Sequence, residues 1–355
     1  MMRKFLARIT GRKNLVAGLA MGLAGAGLAF LGNPRNTGIC VSCFAENVAG
    51  SLRLHGDPRM TYLRPEFMGF LLGSTAMALG RGAFRPRGGS SPLIRFFAGF
   101  FLIVGSAVFL GCPIKVMLRL AAGDLSALSG LAGLIAGVWV GVLFLRRGFF
   151  LGRSRRTHPV TGWIMPALMV LLTAGVLWGP PALRGGMVGA AAEHAPVLIS
   201  LAAGGIVGAL SQRSSFCVTG GLRNFFLTRD LSMVSGVGIL FLSALAFNLT
   251  VGLFQPGLYN QPGSHLDFGW GFAGMALVGF AAALIGGCPF RQLVLAGEGD
   301  GDAGAAVLGM LVGGGLVQSW ALRSTLAGVT PGGKVATALG MLLLLAVAMA
   351  FRERE

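Results

Sequence analysis

Five cysteines stand beside bases and turn-forming residues, and they are the side chains here best suited to chemistry. Gly111-Cys112-Pro113-Ile114-Lys115 runs on to Gly123-Asp124, and Gly287-Cys288-Pro289-Phe290-Arg291 runs on to Gly299-Asp300. Proline suits the first turn of a helix but cannot continue one already begun. Glycine before it lets the backbone turn. The spacing therefore predicts that an apolar helix breaks at Gly111 and at Gly287, and that a short helix starts near Pro113 and Pro289. Cys112 and Cys288 would then sit at helix N-termini, where free N–H groups favour a thiolate or a bound anion. Lys115 and Arg291 add positive charge on the first turn, and Asp124 and Asp300 read as N-caps of the helices that follow.

A second pair of segments behaves in the same way. Arg35-Asn36-Thr37-Gly38-Ile39-Cys40-Val41-Ser42 and Arg213-Ser214-Ser215-Phe216-Cys217-Val218-Thr219 each join a base, hydroxyls and a thiol. Cys40 stands 72 positions before Cys112, and Cys217 stands 71 before Cys288. Gly133 and Gly137 correspond to Gly309 and Gly313, small-residue pairs that let helices approach closely in lipid. The chain is thus two related halves, with Cys43 an addition of the first.

An isolated cysteine is usually a small buried hydrophobe, but all five here fall in the repeated segments. A Cys40–Cys112 disulfide is one alternative. Zinc is disfavoured, because Cys40-Val41-Ser42-Cys43 has no second such pair or paired histidine. Thioredoxin-like redox work would need a βαβ pattern around that CxxC. No cofactor is expected. His55, His158, His194 and His265 fall in loops and read as surface residues. Glu66 and Glu298 lie near span ends, so no proton relay is visible.

The elements that must position these thiols are apolar. Of 355 residues 54% are hydrophobic and 12% charged, with a mean hydropathy of +0.75, against about a quarter charged in soluble domains. Apolar runs near spanning length cover 14–31, 64–80, 93–111, 125–145, 161–178, 195–211, 232–253, 269–287, 302–320 and 334–350. The expectation is an all-α polytopic membrane protein of about ten spans with short broken or re-entrant helices. A first repeat covers 14–147, a connection 148–194, a second repeat 195–320, and a final span and tail 321–355.

The net charge of +17 does not indicate nucleic acid, because the bases sit in short loops where positive-inside topology accounts for them. Arg3, Lys4, Arg8, Arg12 and Lys13 place the N-terminus in the cytoplasm. Arg81, Arg85, Arg87, Arg95, Arg146, Arg147, Arg153, Arg155 and Arg156 then fall inside, while the 254–267 loop, free of Lys and Arg, falls outside. Five spans separate the starts of the repeats, so the second is inverted, an arrangement that puts transporter binding sites at the repeat interface.

On the segments around Cys112, Cys217 and Cys288, the chain resembles the YeeE/YedE family with its sulfur-transport domain. The stretch Gly-Gly-Cys288-Pro-Phe-Arg-Gln-Leu is most similar to the YedE branch of selenium transporters. The resemblance implies import of a sulfur- or selenium-containing inorganic anion, thiosulfate-like, across a bacterial inner membrane. The path would be lined by Cys40, Cys43, Cys112, Cys217 and Cys288, with Lys115, Arg291, Arg35 and Arg213 offsetting charge. It also implies a small TusA-type sulfur carrier as cytoplasmic partner. Two alternatives stand beside the importer: a membrane sulfur or selenium transferase using a cysteine persulfide, and a scaffold for such a carrier.

Overall fold

The computed structural model describes residues 11–180, 185–186 and 188–351. Arg3, Lys4 and Arg8 lie outside the described residues. The chain forms α1 (Arg12–Phe30), α2 (Val41–Ser51), α3 (Pro65–Gly80), α4 (Pro92–Phe109), α5 (Pro113–Ala121), α6 (Ala127–Arg146) and α7 (Pro159–Trp178). The same sequence of lengths then returns in α8 (Val197–Ser214), α9 (Val218–Thr228), α10 (Ser232–Thr250), α11 (Phe268–Ile285), α12 (Pro289–Gly297), α13 (Gly301–Ser319) and α14 (Pro331–Ala350). Each half therefore runs long, short, long, long, short, long, long. The protein is an all-α polytopic membrane protein. Two-residue strands, Arg87–Gly88 (β1) and Arg155–Arg156 (β2), pair antiparallel.

Nine of the ten expected spans are helices long and apolar enough to cross a membrane among the described residues. The tenth, over 64–80, is the 16-residue α3. It packs closely against α8 inside the protein.

Glycines set how the halves engage. A Cβ on Gly137 of α6 would lie 2.0 Å from the Ala276 carbonyl oxygen of α11, and one on Gly133 would lie 2.1 Å from that of Phe272. The mirror pair behaves alike: a Cβ on Gly309 of α13 would lie 1.9 Å from the Phe96 carbonyl oxygen of α4. Close backbone approach is how helices bind in lipid, where apolar burial gives no driving force. Residues 133 and 137 face 272 and 276 in rising order, so α6 and α11 run parallel. By the same reasoning α13 runs parallel to α4, α10 to α1 (Gly18 on Gly236, Gly22 on Leu240) and α8 to α3 (Gly204 on Glu66, Gly208 on Phe70).

The equivalent helices α4 and α11 run antiparallel. Gly105 meets Gly274, and the Phe109 ring meets Gly271 four residues later in one helix and three earlier in the other. The repeats are therefore inverted, and every parallel pair joins one repeat to the other. The loops sort onto two faces. Arg81–Ser91 and Arg147–His158 share one face with the turns around 215–231 and 286–300. Residues 31–40, 52–64, 110–126, 251–267 and 320–330 share the other.

Candidate functional site

Among the described residues, each of the four short α-helices starts on a cysteine. Cys40 is the N-cap of α2, Cys112 of α5, Cys217 of α9 and Cys288 of α12. Cys40 Sγ accepts from the Cys43 N–H at 3.5 Å, and Cys217 Sγ accepts from the Gly220 N–H at 3.3 Å. The thiol thereby satisfies one of the donors that every helix start leaves free. The neighbouring hydroxyls match too: Ser42 Oγ lies 3.3 Å from Cys40 Sγ, and Thr219 Oγ1 lies 3.2 Å from Cys217 Sγ.

The short helices meet in pairs at these ends. Cys217 Sγ lies 3.4 Å from Cys288 Sγ and accepts the Cys288 N–H at 3.5 Å. Cys112 neighbours Cys40 closely enough for their side chains to interact, and Cys43 Sγ lies 2.8 Å from Cys40 Sγ. All five are buried free thiols. The structure thus brings the five cysteines into two clusters, one from each repeat.

The break before each Gly-Cys-Pro is made one residue earlier than expected. Leu110 (φ 62°) and Gly286 (φ 91°) turn the chain in the left-handed region, and Gly111 and Gly287 do not. The two glycines serve instead as gaps for the bases. A Cβ on Gly111 would meet the Lys115 side chain at 3.0 Å, and one on Gly287 would meet that of Arg291 at 2.6 Å. Pro113 and Pro289 open α5 and α12 as the spacing predicts.

The capping expectation holds for one aspartate of two. Asp300 Oδ1 accepts from the Ala303 N–H at 3.0 Å and caps α13. Asp124 does not cap α6, whose N-cap is Ser126. It accepts from Ser126 N–H and Oγ, and its other oxygen accepts from Arg119 Nε at 2.7 Å in a fully buried ion pair. The histidines also differ from the surface reading. His55 and His265 are buried against the carbonyls of Glu46 and Val108, held there by hydrogen bonds of 2.9 and 2.7 Å.

The cations are not equivalent. Lys115 is buried at 2% exposure and borders a cavity of about 840 Å³ that opens on the face of the 254–267 loop. Arg35 borders the same cavity, with Cys43, Asn47, Arg64 and Arg323. Arg323 pairs with Glu46 at 2.5 Å, and Arg64 Nη2 donates to the Ala190 carbonyl at 2.7 Å. The Lys115 ammonium has no hydrogen bond or ion pair among the described residues. Arg291 lies 3.5 Å from Glu298. Arg213 is exposed at the end of α8 and borders none of the cavity described here. Arg64, Glu46 and Arg323 escaped the sequence reading because no repeat motif contains them. Their signal was available in the burial such isolated charges near apolar runs imply.

Inverted repeats with broken helices meeting at the repeat interface are the plan on which many membrane transporters are built. The family model described as sulphur transport matches residues 213–352, so the second half of the chain is similar to that family, and the similarity points to a sulfur-related membrane transporter. No curated protein matches the chain. The first repeat, outside that match, carries the same helix order in mirror orientation.

Proposed function

We propose that the protein imports a sulfur- or selenium-containing inorganic anion such as thiosulfate, passing it from the cavity through Cys43, Cys40 and Cys112 to Cys288 and Cys217. The observation that supports this most is the four short helices, each capped by a cysteine and paired thiol to thiol at mirror positions. A chalcogen anion can accept S–H hydrogen bonds and is attracted to helix N-termini. Lys115, open to the cavity and with its ammonium unpartnered among the described residues, offsets the charge of an entering anion. Contacts that are weak and multiple suit conduction, because a tight site would hold the ion.

The cavity face is the outer one in this reading, since the arginine-rich loops gather on the opposite face. The N-terminus is then cytoplasmic, and a TusA-type carrier would receive the sulfur there. The membrane would be a bacterial inner membrane. Growth rescue of a bacterium lacking sulfate and thiosulfate uptake tests the substrate class. Thiosulfate should rescue and sulfate should not, and labelled selenite uptake tests the selenium substrate separately; rescue by sulfate alone would overturn the reading.

A further inference from the structure

Cys43 has no counterpart in the second repeat, where Gly220 stands in its place. A thiol path laid out like that of the second repeat does not need it. Yet Cys43 and Cys40 are the closest thiols described, at 2.8 Å, both on the first turn of α2. They differ in access. Cys43 borders the cavity, whereas Cys40 is 0% exposed and lies behind it against Cys112. Beside Cys43, the same cavity is bordered by the buried Lys115 and by Asn47, whose Oδ1 is buried without a hydrogen bond. A sulfur at the cavity wall, a second sulfur directly behind it and a cation bordering the same cavity give a geometry in which thiol–disulfide exchange can run.

We propose that Cys40 and Cys43 are a redox-active dithiol that reduces small disulfides entering from the cavity, and that its oxidation interrupts the thiol path. The Cys43 thiolate attacks one sulfur of an external disulfide R–S–S–R, forming a mixed disulfide and releasing RS⁻. The Cys40 thiolate then attacks Cys43 Sγ, releasing the second RS⁻ and closing a Cys40–Cys43 disulfide. The two cysteine protons leave with the two RS⁻ groups as RSH. Two thiols are oxidised, one external disulfide is reduced, and an external thiol reverses the sequence. Oxidised Cys40 has no S–H to offer Cys112. The interruption rests on the path proposed above; the exchange chemistry does not.

The test uses the full-length protein in lipid nanodiscs with bis(2-hydroxyethyl) disulfide as oxidant. Alkylation and peptide mass measurement should find Cys40 and Cys43 protected together, with the loss of two hydrogens, and free again after dithiothreitol. Cys40→Ser should stop at a stable mixed disulfide on Cys43. Cys43→Ser should react at least ~10-fold more slowly, since the remaining thiols are sealed from the cavity. Cys43→Gly, matching the second repeat, replaces it if serine does not fold. A Cys43 variant that consumes oxidant at the wild-type rate would overturn the proposal, as would Cys40 and Cys43 that stay alkylatable in the oxidised wild type. In proteoliposomes, oxidation should lower thiosulfate uptake at least ~10-fold, reversibly. Uptake unchanged by full oxidation would overturn the interruption. Absence of uptake from the reduced protein would instead defeat the transport reading, leaving the dithiol judged by mass.

Discussion

Asp124 and Asp300 hold equivalent places after the second short helix of their repeats, and each takes a guanidinium Nε at 2.7 Å from a different source. Asp124 is served by Arg119 of its own repeat, with both side chains sealed at 0 and 1% exposure. Asp300 is served by Arg87, which reaches across from the other repeat and stays one-third exposed. The backbone around them nonetheless follows one plan. Arg87 forms a parallel bridge to Asp300, and Gly257 forms one to Asp124. Each short helix is thus pinned at its C-terminal end by a loop of the opposite repeat, through Arg85 and Arg87 N–H donors on one face and Gln255 and Gly257 N–H donors on the other.

The burial difference separates the two aspartates energetically. Asp124→Ala leaves the Arg119 guanidinium buried and unpaired, which costs about 3–5 kcal/mol. Replacing both, Arg119→Met with Asp124→Leu, should cost far less. Asp300→Ala loses a partly exposed pair and a cap, about 1–2 kcal/mol together. Thermal unfolding in detergent ranks the three; an Asp300→Ala loss equal to that of Asp124→Ala would contradict the burial argument.

Transport should depend on the capping thiols in matched fashion. Cys112→Ser and Cys288→Ser should each reduce thiosulfate uptake by at least ~10-fold, the loss expected when a purpose-placed donor is removed from a site. Folding should hold, because serine can occupy an N-cap. Uptake at wild-type levels in either variant would exclude that thiol from the path.

Lys115 is predicted to act by charge. Lys115→Met should raise the KM for a dianionic substrate more than it lowers the maximal rate, while Lys115→Arg should retain most uptake. The fall in affinity should change little with salt, since a buried charge is screened far less than an exposed one. Equal uptake by the Met and Arg variants would remove the electrostatic role.

Helix contact tolerates no side chain at the tightest glycines. Gly137→Ala and Gly309→Ala should each destabilise by about 1–3 kcal/mol through overpacking, because the added carbon meets a carbonyl oxygen at 2.0 and 1.9 Å. Gly27→Ala, where a Cβ meets nothing within 4 Å, is the control and should be neutral.

Orientation is open to direct labelling. In a protein without native cysteines, Leu258→Cys should react with an impermeant maleimide from outside intact cells, and Arg153→Cys should react only after permeabilisation. Labelling of both from one side would break the face assignment.

Much of this architecture was legible because lipid imposes a simple code. Long apolar runs must be helices there, and the recurrence of Gly-Cys-Pro exposed the duplication before any packing was seen. The N-cap positions of Cys112 and Cys288 followed from the Gly-Cys-Pro chemistry, and those of Cys40 and Cys217 from the matching turn-prone segments. Other features depended on partners distant in the chain. Nothing near Asp124 signals that it prefers the Arg119 side chain to a helix cap, since that choice rests on burial by the 251–267 loop. Leu110 gives no sign that it will adopt a left-handed turn beside an available glycine. The role of Gly111 as room for Lys115 is visible only once the short helix is folded back.

The exchange of helices between the repeats has a consequence for how the protein is made. The parallel partner of α1 is α10, that of α3 is α8, that of α4 is α13 and that of α6 is α11, so none of the first four finds its mate until the ribosome has passed residue 197. The leading half must wait in the bilayer as unmatched segments, Asp124 and Arg119 included, while the trailing half is still being threaded in. Biogenesis of this protein therefore has its point of greatest exposure midway through synthesis, and an insertase or chaperone acting on it would have its main task there.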